Sequence, residues 1–277
     1  MEIRPLTKDI MLTEALCGSG GLLQKPDLTP AERMVIRSAE VKVMWLEKMI
    51  PRGLMAQIAY EEEEPVGFIE YMPIELSNYQ KGEGLCVINC MVAPHIPPGG
   101  VARRERIPGC GSALVSAMIE DVRGKCDGIV APRAIAYTSD LKGFFEKIGF
   151  EEFENKGMKK YIRRFRPGEL PEPVRYESRY QFRPVAGKVV VDTFWSSMCR
   201  VIPHALLKLR EASSEAGENV VLNEFCVDER ENLERYGIDD VTYFNGRLPH
   251  HSYQLFDKEK IRDLLEKAKE PGQGEQV

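Results

Sequence analysis

Arg106-Ile107-Pro108-Gly109-Cys110-Gly111-Ser112 follows the apolar run LCVINCMVAP, residues 85–94, and precedes an amphipathic segment. Glycines at 109 and 111 let the backbone come close to a ligand and adopt angles that a Cβ would forbid. A helix that begins there presents free N–H groups and a partial positive charge. Together these features make an anion cradle, best suited to phosphate. The spacing is neither GxGxxG nor GxxxxGK[ST], and no lysine follows the second glycine, so the dinucleotide and P-loop readings both fall short. The pattern is R-x-x-G-x-G.

Such a cradle needs a strand before it and a helix after it. Leu114, Met118 and Val122 recur at i, i+4 and i+8, and Val115 and Ile119 widen the stripe, which predicts a helix with one buried face. GIVAPRAIAY then predicts a strand and SDLKGFFEKIGF a helix, ending at Gly149-Phe150. Upstream, the acidic run Glu61 to Glu64 lies before Pro65 between two apolar runs and predicts a hairpin cap, although an acidic turn could also attract a cationic acceptor.

R-x-x-G-x-G resembles motif A of the GNAT superfamily of N-acyltransferases, which binds the pyrophosphate of acetyl-CoA. Val92-Ala93-Pro94 is similar to the Val-x-Pro that ends the preceding strand in that family, and SDLKGFFEKIGF resembles its closing A-x-x-[FL]-Y-x-K-x-GF. The three features, in order, cover about the first 165 residues. The resemblance implies an α/β fold, a mixed sheet with flanking helices, whose fourth strand splays from the fifth to admit the pantetheine arm. It implies acetyl-CoA as co-substrate, with Arg106, Gly109, Cys110, Gly111 and Ser112 at the pyrophosphate. It also implies backbone contacts from Met91 and Val92 to the arm, and an amide at a strand bulge that polarises the thioester carbonyl.

In such a transfer the acceptor amine must lose a proton and the leaving thiolate must gain one. The sequence departs from the family here, because Phe145 stands where a tyrosine often protonates the thiolate. Tyr137, at the end of the preceding strand, is the substitute candidate; its plain alternative is an aromatic packing on the core. For the base, the family's usual position falls near Cys86, which leaves Glu83 just ahead of it. Glu70, in GFIEYM, is the second candidate. Flanked by Phe68, Ile69, Tyr71 and Met72, it must be exposed, paired or shifted in pKa. Both carboxylates could equally be solvated groups at a strand end or sheet edge. Between Pro94 and Arg106, HIPPGGVARRE is longer than the family's usual link, and Arg103, Arg104 and Arg106 on this loop could hold the adenosine 3′-phosphate, shape the acceptor site or simply be solvated.

At 277 residues, a prior of roughly 150 residues per domain predicts two domains. Charged residues make up 29% of the chain and the net charge is -5, which disfavours nucleic acid as a partner because a phosphate backbone needs a basic face. No apolar stretch approaches the ~18 residues of a membrane helix, and the first residues have neither n-region nor h-region, so the expectation is neither membrane nor secretion. Seven cysteines, scattered through apolar strands, fit reduced thiols in cytoplasm, and no Cys/His spacing resembles a metal site.

The composition shifts at Arg163, and the prolines and charges that follow predict an irregular linker. The expected division is 1–165, a linker over 166–186, and a second domain over 187–277. Tyr161, just before the linker, is expected to close the first sheet. The second domain reads as strand KVVVDTFW, helix RVIPHALLKLREA, strand NVVLNEFCVD, short helix ENLERYG, a hairpin over VTYFNGRL turning at Asn245-Gly246, and helix KEKIRDLLEKAKE capped by Asp257. This order, with a Trp ahead of the first helix, resembles thioredoxin-like folds, particularly the YoaP-like domain found behind GNAT domains.

That fold's motif would be W-C-x-x-C, and the chain reads Trp195-Ser196-Ser197-Met198-Cys199. A serine hydroxyl cannot supply a thiolate equivalent, so ordinary disulfide exchange within the motif is excluded. Val241 stands where the fold's cis-proline is expected. Cys199, near a helix N-terminus, is either a monothiol site or an inert thiol. Pro203 is expected to kink its helix, His204 to pack or face solvent, and at most one of the adjacent His250 and His251 to line a pocket.

The resulting expectation is a two-domain N-acetyltransferase acting by direct attack of an amine on the thioester of acetyl-CoA, its acceptor a small molecule or peptide. The alternative is a non-catalytic acyl-CoA-binding or interaction protein with a degenerate thioredoxin-like module. The sequence leaves the acceptor and the oligomeric state open.

Overall fold

The structure, a computed structural model, describes residues 1–7, 22, 25–92, 107–132, 141–155 and 158–270. It divides into two compact units, Met1–Leu28 with Val43–Arg175, and Thr29–Lys42 with Tyr176–Val277.

In chain order the first elements are β1 (Glu2–Pro5), α1 (Pro30–Met49), β2 (Met55–Glu61), β3 (Glu64–Pro73), β4 (Tyr79–Lys81) and β5 (Leu85–Val92). Then follow α2 (Cys110–Val122), β6 (Gly128–Pro132), α3 (Leu141–Lys147), β7 (Glu151–Asn155), β8 (Met158–Arg164) and β9 (Val174–Arg175). Seven strands make a sheet of order β1-β2-β3-β5-β6-β8-β7. Among the described residues, β5 and β6, joined by the crossover helix α2, are its one parallel pair; every other ladder is antiparallel.

The local signals explain most of these elements. Helix α1 opens on a capping box: Thr29 N and Oγ1 donate to Glu32 Oε2 at 2.9 and 3.0 Å, and Glu32 N donates back to Thr29 Oγ1 at 3.2 Å. The acidic run is a two-residue hairpin turn, with Glu62 and Glu63 at φ 50° and 65° and Glu61 facing Glu64. Cys110, Leu114, Val115, Met118, Ile119 and Val122 form the buried stripe of α2, packed with Ile69, Tyr71, Ile88 and Met91 in one core.

Two expectations about this unit need correction. Tyr161 does not lie on a closing edge strand: β7 and β8 form a hairpin in which the later strand, β8, turns inward against β6 and leaves β7 outside. The segment read as an irregular linker contains β9, which pairs with β4 (Tyr79↔Arg175, Lys81↔Val174), because the chain beyond Pro173 is again free to donate backbone hydrogen bonds.

The second unit contains β10 (Val189–Trp195), α4 (Val201–Ala216), β11 (Val220–Cys226), α5 (Arg230–Tyr236), β12 (Val241–Phe244), β13 (Arg247–His250) and α6 (Lys258–Lys269). Its sheet has the order β11-β10-β12-β13, with β10 and β11 parallel and the remaining pairs antiparallel. Strand β10 is buried on both faces, which accounts for its nearly unbroken apolar run. Val189 and Val191 pack with Leu209, Ile261 and Leu265, and Phe194 packs with Leu233, Ile238 and surrounding aromatic rings. Asn245 and Gly246 turn the hairpin at φ 50° and 70°, and Asn245 is tied on both sides, accepting from Val190 N and donating to Ala268 O, each at 2.7 Å. Asp257 caps α6 by accepting from Glu259 N at 2.9 Å.

Pro203 also differs from expectation. It is the third residue of α4, within the first turn, where N–H groups have no intrahelical acceptor, so the proline removes no helical bond there. Among the described residues, no helix is long and apolar enough to cross a membrane.

Candidate functional site

The ladder between β5 and β6 is short. It pairs Leu85 with Gly128, Cys86 with Ile129 and Val87 with Val130, and ends there although both strands continue. Beyond Val87, β5 remains paired on its other side with β3, as far as Phe68↔Val92. The register on that side slips between Glu70↔Cys90 and Tyr71↔Ile88, so Asn89 is an extra residue in β5. The far half of β5, which carries Met91 and Val92, is thus bulged and has no ladder with β6 among the described residues.

The start of α2 lies beside this half. A Cβ built on Gly67, in β3, would stand 2.5 Å from Cys110 Sγ and 3.1 Å from the Val92 carbonyl oxygen, so the first residue of α2 and the last of β5 converge on one point. Gly109 precedes the helix in the left-handed region, φ 82°, and no side chain caps the N-terminus. Cys110 N donates to Ile107 O at 3.3 Å and Ala113 N to Gly109 O at 2.8 Å. Between them, Gly111 N and Ser112 N have no acceptor among the described residues, which leaves two backbone donors at the positive end of a 13-residue helix. Burial pushes the Cys110 thiol up to about 11. Its sulfur lies in the core, 3.8 Å from Val66 O. Its side chain is therefore part of the packing.

The two base candidates are placed very differently. Glu83 is exposed in the turn before β5, and backbone N–H groups, its own and that of Gly82, hold its carboxyl below the usual range. It is at the opposite end of β5 from Val92, roughly 30 Å along an extended strand. Glu70 is fully buried, and its Cα pairs with Cys90 beside the bulge. Asn89 Nδ2 donates to Glu70 Oε1 at 2.6 Å.

Phe145 is also fully buried, with its ring stacked on Tyr161 at 5.2 Å and tilted against Phe150 at 5.0 Å. Ala93, Pro94, Arg103, Arg104, Arg106 and Tyr137 lie outside the described residues. Asn89 and Gly67 were not singled out from the sequence, although each had a signal there. Asn89 is a lone amide inside LCVINCMV, and Gly67 is an isolated glycine inside a strand, where a close backbone approach is expected.

In the second unit, Ser196 and Ser197 are buried, and Ser197 N donates to both oxygens of Asp228 at 3.2 and 3.0 Å. Cys199 is half-buried, two residues before the first residue of α4. His204 packs edge-on against Phe256 at 5.4 Å; burial, then the nearby Arg200 and Lys208, lower its pKa to about 4. The adjacent histidines separate as an extended chain requires: His250 packs against Phe244, and His251 Nδ1 meets Asp240 O at 2.6 Å.

No family model matches the sequence, and no curated protein matches it. Solved structures similar to the chain include a GNAT-family acetyltransferase from Brucella melitensis in complex with acetyl-CoA, at 14% identity over 64% of this chain and 95% of that one, with a TM-score of 0.39. Another is the PaiA N-acetyltransferase of Thermoplasma acidophilum in complex with coenzyme A, at 14% identity over 59% of this chain and 98% of that one, with a TM-score of 0.38. A third is a ribosomal-protein-alanine N-acetyltransferase from Brucella melitensis, at 17% identity over 63% of this chain and all (100%) of that one, with a TM-score of 0.38. At identities and scores this low, the likenesses carry nothing about substrate or reaction.

Proposed function

We propose that the protein is an N-acetyltransferase that moves an acetyl group from acetyl-CoA to an amine of a small molecule or peptide. The observation that carries this reading is the convergence of the unladdered end of β5 with the open start of α2, at Val92 and Cys110 around Gly67. Gly111 N and Ser112 N would hold the pyrophosphate, while the edge of β5 near Met91 and Val92, which has no ladder with β6 among the described residues, would receive the pantetheine arm by backbone hydrogen bonds. The amine nitrogen forms a bond to the thioester carbonyl carbon, the C–S bond breaks, the amine gives up a proton to a base and the departing thiolate takes one up. Glu70 is the better placed of the two carboxylates for that base, since it adjoins the bulge and Glu83 does not.

The second unit we read as thioredoxin-like. Its β11-β10-β12-β13 order, the parallel β10–β11 pair and Trp195 ahead of α4 support this. Ser196 at the first thiol position leaves no dithiol couple there, so its part is binding rather than disulfide exchange.

A second reading, a coenzyme A-binding protein without transfer, is favoured by Phe145, whose buried ring offers no proton. One experiment separates the two: calorimetric titration with acetyl-CoA, followed by a free-thiol release assay over a mixed panel of amines. Binding with thiol release supports transfer. Binding without release for any amine supports the second reading, and no binding removes both.

A further inference from the structure

The second unit has a cleft of about 420 Å³ that neither the acyl-donor site nor the Trp195–Cys199 segment uses. Its rim carries three exposed guanidiniums, Arg179, Arg183 and Arg235. None of the three has a carboxylate partner among the described residues. Arg179 Nη1 donates to the Glu234 carbonyl at 3.2 Å, and Arg235 lies over the Tyr236 ring at 5.1 Å. The Glu234 carboxylate is engaged elsewhere, with Arg230 Nε at 3.3 Å.

The interior is different in kind. Half-buried Phe225 and Tyr236 form a tilted pair of rings, with centroids 4.8 Å apart. At the floor, buried Asp192 accepts from Tyr180 Oη at 2.6 Å and from Asn223 Nδ2 at 2.8 Å. Each Asp192 oxygen can accept a further donor, and Asn223 keeps a second N–H and a carbonyl.

We propose that this cleft binds a planar ring bearing a phosphate monoester, a mononucleotide in chemical class. Three guanidiniums exceed what a single carboxylate requires and suit a dianion, to which arginine forks are well matched. Bare phosphate would leave the rings and most of the volume unused, whereas the volume lies in the usual range for small-ligand sites, roughly 300–1,000 Å³. The charges also set the orientation. Asp192 repels an anion at the floor, so the phosphate sits at the arginine rim and the ring lies against the Phe225–Tyr236 pair, its edge polar groups toward Asp192 and Asn223.

The test uses the full chain saturated with coenzyme A, so that a nucleotide cannot report the acyl-donor site; should coenzyme A not bind, the titration is run without it and the cleft variants still decide. Calorimetric titration with 5′-AMP, GMP, CMP and UMP is expected to show one of them binding. R183A/R235A, both exposed positions, should weaken it about tenfold or more, and the matching nucleoside should bind weaker by a similar factor. Inorganic phosphate should compete only at far higher concentration. The proposal is overturned if no mononucleotide binds, if the double variant binds as wild type does, or if phosphate alone binds as tightly as the nucleotide.

Discussion

Asn89 donates its side-chain amide to the buried Glu70 carboxylate at 2.6 Å, at the one point where β5 carries an extra residue against β3. The bulge thus does two things. It shifts the register of β5 against β3 by one residue where the half of β5 beside the α2 N-terminus begins, and it sets an amide against the buried Glu70 side chain.

Removing either partner should separate chemistry from stability. E70Q is expected to keep acetyl-CoA binding and lower turnover by about 10²–10⁴ if Glu70 is the base. N89A should instead destabilise the fold by about 1–3 kcal/mol, since it strips a hydrogen bond from a buried polar group. Urea unfolding and steady-state kinetics on both variants check this; full turnover in E70Q would remove Glu70 from the mechanism.

Gly67 is the tightest constraint on the site. G67A places a Cβ 2.5 Å from Cys110 Sγ and 3.1 Å from Val92 O. It should cost about 1–3 kcal/mol and push the α2 start away from β5. Coenzyme A affinity should drop about tenfold, measured by calorimetry on the folded variant. Wild-type affinity in G67A would show that the convergence is not the donor site.

Gly109 acts through its backbone alone, because a Cβ there would meet nothing within 4 Å although φ is 82°. Alanine should cost about 1–2 kcal/mol, and asparagine less, because asparagine tolerates the left-handed region. Thermal unfolding of G109A and G109N should therefore rank glycine, asparagine, alanine. Equal midpoints would mean that the left-handed cap is not retained in solution.

Phe145 offers a direct test of the missing tyrosine. F145Y buries a hydroxyl beside Tyr161 and Phe150, which should destabilise by about 1–3 kcal/mol with no gain in thiol release. A clear gain in turnover would place the ring at the acyl site after all.

His204 should give the second unit an acid-sensitive stability. Its folded pKa, about 4, lies below the ordinary 6.5 because burial favours the neutral ring. Above pH 6.5 both folded and unfolded chains carry it neutral, and its contribution is complete. As pH falls, the unfolded chain takes the proton first, so stability drops between about 6.5 and about 4 and then levels. With solvent screening of a partly exposed ring, the loss is about 1–2 kcal/mol. Urea unfolding of wild type and H204L at several pH values should show a shallower acid slope in H204L, and parallel slopes would refute the assignment.

Much of the fold was legible because its signals are short in range. The stripe Leu114-Met118-Val122 marked α2, the Asn245-Gly246 pair marked a hairpin, and Asp257 marked a cap, each through interactions within a few residues. Helix α1 carries an equally local signal in Thr29-Pro30 and Glu32, the capping box at its start. Glu83 shows the opposite case. It is close in sequence to the apolar strand of the site, and the strand's length carries it to the far end.

The sequence by itself determined the glycines ahead of α2, the helix behind them, the hairpins, and the absence of a dithiol at Ser196, because composition and local period dictate these directly. Only the tertiary structure decided that β5 leaves β6 after Val87, that Asn89 bulges toward Glu70, that Gly67 admits Cys110 beside Val92, and that Arg235 shares one cleft with Arg179 and Arg183. Those relationships depend on strand register and on contacts between residues tens of positions apart. A one-residue slip in register would undo them while leaving every local pattern intact.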